Sequence, residues 1–384
     1  MPIGRTIEVE GNQLRLIADG PDRFAALMDL IGDARESLCL YFYTFAPDEA
    51  GKAVGEALVE ACGRGVDVTL MIDAFGSNGT SAAFLTPLVK AGVRFGRFGY
   101  RPSTRYLIRN HQKMAIADRK RAIIGGFNIA QDYFADAKDD GAWCDLGVLM
   151  EGPAVGVLQA WYDRLAAWVF DSDQRFRSLR RMVRDWSPGE GRLQWLMGGP
   201  ARRLSGWVRR VKGDLETGKR LDMVAAYFSP GRSMLKRIMR LAKRGDARLI
   251  VPLYSDNTAT IGAARHLYRR MLNSGVRLFE YTRGKLHMKV IVIDDVAYVG
   301  SANFDKRSLY LNVELMLRVA DPDFAEAVRD IIVRREAEAR PIDMAAYRAM
   351  AGPVARIRWL ISYALVGVLD YTMTRRLNFR SEPR

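Results

Sequence analysis

The chain has 384 residues, 49% hydrophobic and 27% charged, a globular balance that excludes a disordered tail protein, a collagen-like repeat and a multi-span membrane protein. Lysine and arginine number 59 against 44 aspartates and glutamates, a formal net charge of +15, which suits an anionic partner: nucleic acid, a phosphoester or an anionic lipid surface. Cys39, Cys62 and Cys144 form no CxxC pair and read as reduced thiols of a cytosolic protein rather than zinc ligands.

The first residues, MPIGRTIEVEGNQLRL, lack the apolar stretch of a signal peptide. Residues 37–47 (SLCLYFYTFAP) form an apolar, aromatic-rich run that predicts a buried strand. A helix at 50–64, a strand at 66–73 and a second helix ending in AGVR (91–94) follow. Residues 110–118 (NHQKMAIAD) then predict a strand, and Gly125-Gly126-Phe127-Asn128 a turn. The same order returns later: a strand at 221–230, a helix at 233–244, a strand at 247–253, SGVR at 274–277, LHMKVIVID at 286–294 and Gly300-Ser301-Ala302-Asn303. Two copies of β-α-β-α-β-β predict an α/β fold from an internal duplication, two tandem α/β/α domains with mixed, mostly parallel sheets. The halves are placed at 1–171 and 193–340, joined by a basic segment at 172–192 and followed by a basic and apolar C-terminal segment at 341–384.

In each half the third strand carries His-x-Lys-x4-Asp: His111, Lys113 and Asp118, then His287, Lys289 and Asp294. Side chains alternate along a strand, so each histidine shares a face with its lysine, about 6.6 Å apart along the chain. Each aspartate follows its histidine by seven residues, an odd offset that turns it to the other face, so it is expected to close the strand end rather than touch that histidine. One such pattern is weak. Two copies, each followed by Gly-small-x-Asn and together holding two of the three histidines in the chain, are not coincidence. His266, on a helical stretch, is expected to be a surface or half-buried residue without a role.

The chemistry of the set points to phosphate. Lys113 and Lys289 concentrate positive charge. Asn128 and Asn303 offer neutral donors, and Gly126 and Ser301 allow close backbone approach. Together they would bind a phosphodiester and stabilise a pentacoordinate transition state. No carboxylate cluster with metal spacing is visible, so neither a metal nor a cofactor is expected. The histidines are the natural nucleophile and general acid, and spacing does not say which is which. Asp145 (WCDLGVLM) and Glu314 (NVELMLRV) open a later strand in each half. They are candidates to orient the histidines, the alternative being solvated strand caps. Arg307, Ser308 and Asn312 are candidates for the same pocket. The first half has a longer loop, 95–110, with Arg97, Arg101, Arg105 and Arg109, read either as a solvated surface loop or as a basic rim over a phosphate site.

HQKMAIADRKRAIIGGFN and HMKVIVIDDVAYVGSAN resemble the paired signature of the phospholipase D superfamily, and GGxN, GSAN-x-D-x-RS with N-x-E following, WCD and EGPAV resemble its bacterial cardiolipin synthase branch, over roughly residues 10–335. The resemblance is to the short form without N-terminal transmembrane helices. It implies an active site between the halves, with His111, Lys113, Asp118, His287, Lys289 and Asp294 as the catalytic set. It also implies metal-independent transfer: a histidine, expected to be His111, attacks phosphatidylglycerol to form phosphatidyl-histidine. His287 protonates the departing glycerol, and a second phosphatidylglycerol accepts the phosphatidyl group to give cardiolipin. Hydrolysis, another acceptor, or a nucleic-acid phosphodiesterase are the alternatives, and a non-catalytic lipid-binding relative is a further one. One departure stands out. Five residues separate Asp294 from Gly300 where six separate Asp118 from Gly125, which predicts a tighter turn after the second motif strand.

The expected partners are phosphatidylglycerol and the membrane surface, at the cytoplasmic face of the bacterial inner membrane. No nucleic acid is expected, and the oligomeric state is open. Two segments could reach lipid. RFRSLRRMVRDW (175–186) is a basic amphipathic helix, either interfacial or core-packed with a solvated arginine face. RIRWLISYALVGVLDYTMTRR (356–376) has an apolar middle and arginines at both ends, and is expected to dip into an anionic leaflet rather than only dock on the body.

Overall fold

A computed structural model describes residues 5–99, 108–139, 141–200, 204–255 and 257–366. The first sheet runs Thr6–Val9, Asn12–Ile17, Gly147–Glu151, Arg121–Gly125, Met114–Ala117, Ser37–Phe42, Asp67–Asp73, Arg94–Phe98. The second begins Leu193–Gly198, Glu314–Ala320, Val296–Gly300, Lys289–Ile293, then continues Arg220–Ala225, Asp246–Tyr254, Arg277–Leu286 and Ala339–Ile342. From Gly147–Glu151 and Glu314–Ala320 onward the two orders repeat each other, as the duplication predicts.

Only part of each sheet is parallel. Ser37–Phe42, Asp67–Asp73 and Arg94–Phe98 are parallel neighbours, joined through helices Glu49–Gly63 and Ala82–Lys90. The ladders from Ser37–Phe42 through Met114–Ala117 to Asn12–Ile17 are antiparallel. The second sheet divides the same way. The expectation of mostly parallel sheets is corrected in that proportion, because each motif strand returns directly in a tight hairpin and a hairpin can only be antiparallel. The hairpins also differ as predicted. Ala117 pairs with Arg121 across three turn residues, and Ile293 with Val296 across two.

Alternation along the strands divides the core. Leu38, Leu40 and Phe42 pack outward against helices Gly20–Asp33 and Glu49–Gly63. Met114 and Ile116 face inward, where they meet Met288, Val290 and Val292 of the second half. Helices Pro153–Phe170 and Pro322–Ala337 contribute Trp161 and Val328 to the same inner cluster, so the halves share one continuous apolar core. Burial of this size is the main driving force for the fold.

The connecting helix Phe176–Arg184 buries Phe176, Leu179 and Val183. It is therefore core-packed with an exposed basic face. The C-terminal helix Pro353–Ala364 buries Trp359 and packs on Thr258–Leu272, where Tyr363 stacks on the half-buried His266 at 4.9 Å. Its other face leaves Val354, Ile357, Leu360 and Ile361 exposed. The rest of that segment, from residue 367, lies outside the described residues, as do Arg101 and Arg105. No helix among the described residues is long and apolar enough to cross a membrane. None of the three cysteines is in a disulfide.

Candidate active site

The two motif histidines meet where the sheets face each other, with ring centroids 6.5 Å apart. The backbone brings them there crosswise. Asn110 bridges Val313, and the His111 amide donates to the Val313 carbonyl at 2.8 Å. In mirror fashion Trp143–Cys144 joins the second sheet beside Lys285 and Leu286, and the His287 amide donates to the Cys144 carbonyl at 2.8 Å. Val313 and Cys144 immediately precede Glu314 and Asp145. Each carboxylate is thus delivered to the histidine of the opposite half.

Asp145 Oδ2 lies 2.7 Å from His287 Nδ1. His111 Nδ1 lies 3.0 Å from the Ser301 carbonyl and 3.4 Å from Glu314 Oε2. A carbonyl and a carboxylate only accept, so these contacts place the proton of each neutral imidazole on Nδ1 and leave Nε2 with its lone pair. Glu314 is itself held by the Ser301 hydroxyl, which donates to Oε2 at 2.5 Å and accepts from the Leu315 amide at 3.0 Å.

All six groups are buried. Lys113 Nζ donates to the His111 carbonyl at 2.6 Å, and Lys289 Nζ to the His287 carbonyl. Burial first, then the neighbouring lysine, pushes His111 down to about 4 and His287 to about 3, against the raising effect of their carboxylates. Burial and the Lys289 charge push Lys113 down to about 7. For Asp145 burial acts in the opposite sense, but the hydrogen bond to His287 and the charges of His287, Lys289 and Arg23 hold its carboxyl below the usual range. Both imidazoles are therefore neutral at pH 7.

Aromatic rings complete the walls. Tyr43 packs on His111 at 4.7 Å and lies beneath Lys113 Nζ at 5.1 Å, while Tyr133 and Trp143 both meet His287 edge-on at 5.2 Å. Arg109 of the basic loop lies 3.9 Å over Phe75, and its hydrogen bond and charge act on the Tyr43 hydroxyl. Arg97 donates to the Thr80 carbonyl. Arg23, fully buried, donates to the carbonyls of Ala18, Tyr133 and Asp145 at 2.6, 2.7 and 2.8 Å. One guanidinium thus fixes two segments that flank His287. Tyr43, Tyr133 and Arg23 were not singled out from sequence. The aromatic run at 41–45 was the available signal for Tyr43, and nothing in the pattern marks Arg23, whose partners Tyr133 and Asp145 lie more than a hundred residues away.

The structure does not bring every expected residue to the histidines. Asp118 and Asp294 sit beyond the far ends of their strands with φ of +53° and +47°. Asp118 accepts from the amides of Arg35, Glu36 and Ser37, and Asp294 from those of Lys219 and Arg220. Each pins the start of the neighbouring strand, as the odd offset predicts, and neither side chain is brought to the histidines. Gly126 and Ser301 lie against the two carboxylates. A Cβ on Gly126 would lie 2.4 Å from Asp145 Oδ1, and Ser301 holds Glu314. Asn128 accepts from the Thr44 amide and donates to the Tyr133 hydroxyl, both at 3.1 Å, so its amide supports a ring that packs on His287. Asn303, Ser308, Asn312 and Glu314 each keep a buried oxygen without a hydrogen-bond partner, a cost that a polar ligand would remove. Among the described residues no group of three His, Cys, Asp or Glu is placed to hold a metal.

Comparison with known proteins agrees with this geometry. The family model described as cardiolipin synthase, PLD-like domain, matches residues 27–151 and 215–335. A cardiolipin synthase B of Salmonella typhi is 32% identical over 332 residues, covering 84% of this chain and 79% of its own length. A cardiolipin synthase A of Pseudomonas fluorescens is 29% identical over 352 residues, covering 88% and 72%. In fold the chain is similar to the crystal structure of a phosphatidylserine synthase from Haemophilus influenzae, with a TM-score of 0.76 at 13% identity over 95% of this chain and 96% of that one. Matched in both halves and over most of its length, the chain belongs to the cardiolipin synthase family of phospholipase D-like proteins.

Proposed function

We propose that the protein is a phosphatidyltransferase that makes cardiolipin from phosphatidylglycerol through a covalent phosphatidyl-histidine, without a metal. The observation that supports this most directly is the crossed pair of buried neutral imidazoles, each protonated on Nδ1, facing one another across 6.5 Å between two lysines. That spacing leaves room for one phosphoryl group.

In the first step His111 Nε2 bonds to phosphorus as the bond from phosphorus to the glycerol oxygen breaks. His287, protonated in the presence of the phosphodiester anion and Asp145, gives its proton to that oxygen. Lys113 and Lys289 hold the non-bridging oxygens as charge builds on them. In the second step a hydroxyl of another phosphatidylglycerol gives its proton to His287 and attacks phosphorus, and His111 leaves. His111 is assigned the nucleophilic role because its Nδ1 faces a neutral carbonyl at closest approach. The closer carboxylate on His287 supports the proton once the phosphodiester anion offsets the burial and the Lys289 charge that hold His287 below His111 in the free protein. Membrane contact is proposed through the exposed apolar face of helix Pro353–Ala364, at the cytoplasmic leaflet.

The test is product analysis with phosphatidylglycerol vesicles in the presence of EDTA, comparing the native chain with His111→Ala and His287→Ala. Cardiolipin and free glycerol from the native chain alone are expected. Phosphatidic acid instead would assign hydrolysis, and no turnover of any phospholipid would overturn the lipid reading.

A further inference from the structure

The connecting helix Phe176–Arg184 presents its basic face to a cavity of about 570 Å³, within the size range of small-ligand sites. Arg177, Arg180, Arg181 and Arg184 line it from that helix, and Arg209 from helix Gly206–Thr217. Among the described residues no aspartate or glutamate lines it. Arg184 is paired with Asp185 at 2.6 Å, outside the lining. Gathering like charge in one concavity raises the free energy of the empty protein, and an anion seated there relieves it. The amino-terminal end of helix Gly206–Thr217, capped by Ser205, adds its positive end to the same rim.

The floor differs in chemistry. Val183, Leu196, Met197 and Leu204 line it. Trp186 closes one side, its indole N–H donating to the Trp195 carbonyl at 2.9 Å and its ring packed on Trp161 at 5.3 Å. That half-buried ring packs on Trp161 and lies under the Arg164 guanidinium at 5.5 Å, which makes it a poor stacking platform for bases and disfavours single-stranded nucleic acid. An arginine rim over an apolar floor fits an amphiphile with a phosphate head.

None of the catalytic residues lines the cavity, yet the two sites share a wall. Met197 Sδ accepts from Gln112 Nε2 at 3.5 Å, and Gln112 lies between His111 and Lys113. The next residue on that strand, Gly198, pairs with Glu314.

We infer that this cavity is a second anionic-phospholipid site, in which the arginines of the connecting helix and Arg209 bind a phosphate headgroup and the apolar floor takes the start of an acyl chain. The naming of the anion as a phospholipid rests on the proposed function, whereas the anion site itself does not.

Calorimetric titration of the full chain tests it, in a His111→Ala background so that ligand is not consumed, with dihexanoyl phosphatidic acid as the probe. Arg181→Gln/Arg209→Gln is the variant: both side chains are exposed, so the fold should be spared, and an unchanged thermal melt confirms it. The double variant should bind one equivalent fewer than its parent, or bind that equivalent at least about tenfold more weakly, since bonds from charged donors are the strong ones. The readout is a difference, so it survives even if the catalytic pocket binds no lipid and the proposed function fails. Identical isotherms for parent and variant overturn the site. If inorganic phosphate or a single-stranded oligonucleotide shows the loss and the lipid does not, the site is an anion site and its assignment to phospholipid is overturned.

Discussion

Asp145 belongs to the first repeat but holds the histidine of the second, with Oδ2 2.7 Å from His287 Nδ1. Glu314 reaches back to His111 at 3.4 Å, where the Ser301 carbonyl is closer, at 3.0 Å. The two halves are therefore interlocked at the level of single side chains but not equivalent: one histidine has a carboxylate as its nearest partner, the other a neutral carbonyl.

That asymmetry ranks two substitutions. Asp145→Asn should lower kcat about a hundredfold, because a charge that favours imidazolium is lost and the Nδ1 tautomer is no longer enforced. Glu314→Gln should cost nearer tenfold, since the Ser301 carbonyl still accepts from His111. Steady-state turnover of phosphatidylglycerol by the two folded variants checks the order, and equal losses would contradict the assignment of roles.

Gly126 tests the support of Asp145. A methyl group there would lie 2.4 Å from Asp145 Oδ1 and 2.8 Å from Oδ2, so the carboxylate must move. Gly126→Ala is expected to reproduce the kcat loss of Asp145→Asn, with a stability cost of about 1–3 kcal/mol from overpacking. Retained activity would show that Asp145 has room to relocate.

The pH dependence of kcat/KM follows from the depressed values in the empty site. A histidine nucleophile must be neutral, and His111 stays neutral until pH falls through about 4. Lys113 would hold phosphate, its proposed role, only while charged, and loses its proton as pH rises through about 7. The profile should thus fall on the acid side near 4 rather than near 6.5. Toward alkaline pH it falls because His287, about 3 in the free protein, must take up its proton on binding the phosphodiester, and the fall steepens near 7 as Lys113 discharges. Lys113→Arg should remove that steepening, because a guanidinium stays charged. An alkaline limb unmoved by Lys113→Arg would remove Lys113 from that role.

Asp118 and Asp294 predict a loss of stability without a loss of chemistry. Asp118→Asn keeps the side-chain shape and tolerates the left-handed backbone, but weakens three amide hydrogen bonds from Arg35, Glu36 and Ser37. The expected cost is roughly 1–2 kcal/mol, with kcat of the folded fraction within about twofold of native. Burial raises the Asp118 carboxyl slightly, but the three amides outweigh it and set it below the usual range. Its contribution is therefore present at neutral pH and fades as pH falls through that depressed value. Urea unfolding at pH 7 and near pH 3 measures it, and a turnover defect in the fully folded variant would return the aspartate to the chemistry.

Substitution on the C-terminal helix tests the proposed membrane contact apart from catalysis. Ile357→Asp/Leu360→Asp places charge on a face that is already exposed. Sedimentation with anionic vesicles should drop at least about tenfold, while turnover of a short-chain soluble phosphatidylglycerol stays near native. Unchanged sedimentation would assign the docked side of this helix, through Trp359 and Tyr363, as its whole role.

The primary structure alone determined the repeat, the strands Met114–Ala117 and Lys289–Ile293 that run on from the two histidines, and the shorter turn after Asp294. These follow from periods of two and of about 3.6 residues and from chain counting, which are local. It also marked Asp145 and Glu314 as candidates, but not their crossing. That depends on Cys144 and Val313 bonding to the amides of His287 and His111, contacts between residues more than a hundred positions apart. The same holds for Arg23, which meets Tyr133 and Asp145 through the folded sheet, and for the place of Gly126 and Ser301 against the carboxylates. Pairing of distant strands decided these, across the two halves for the carboxylates and histidines and within one half for Arg23, Gly126 and Ser301, because a partner supplied by another strand leaves no periodic trace in the strand that uses it.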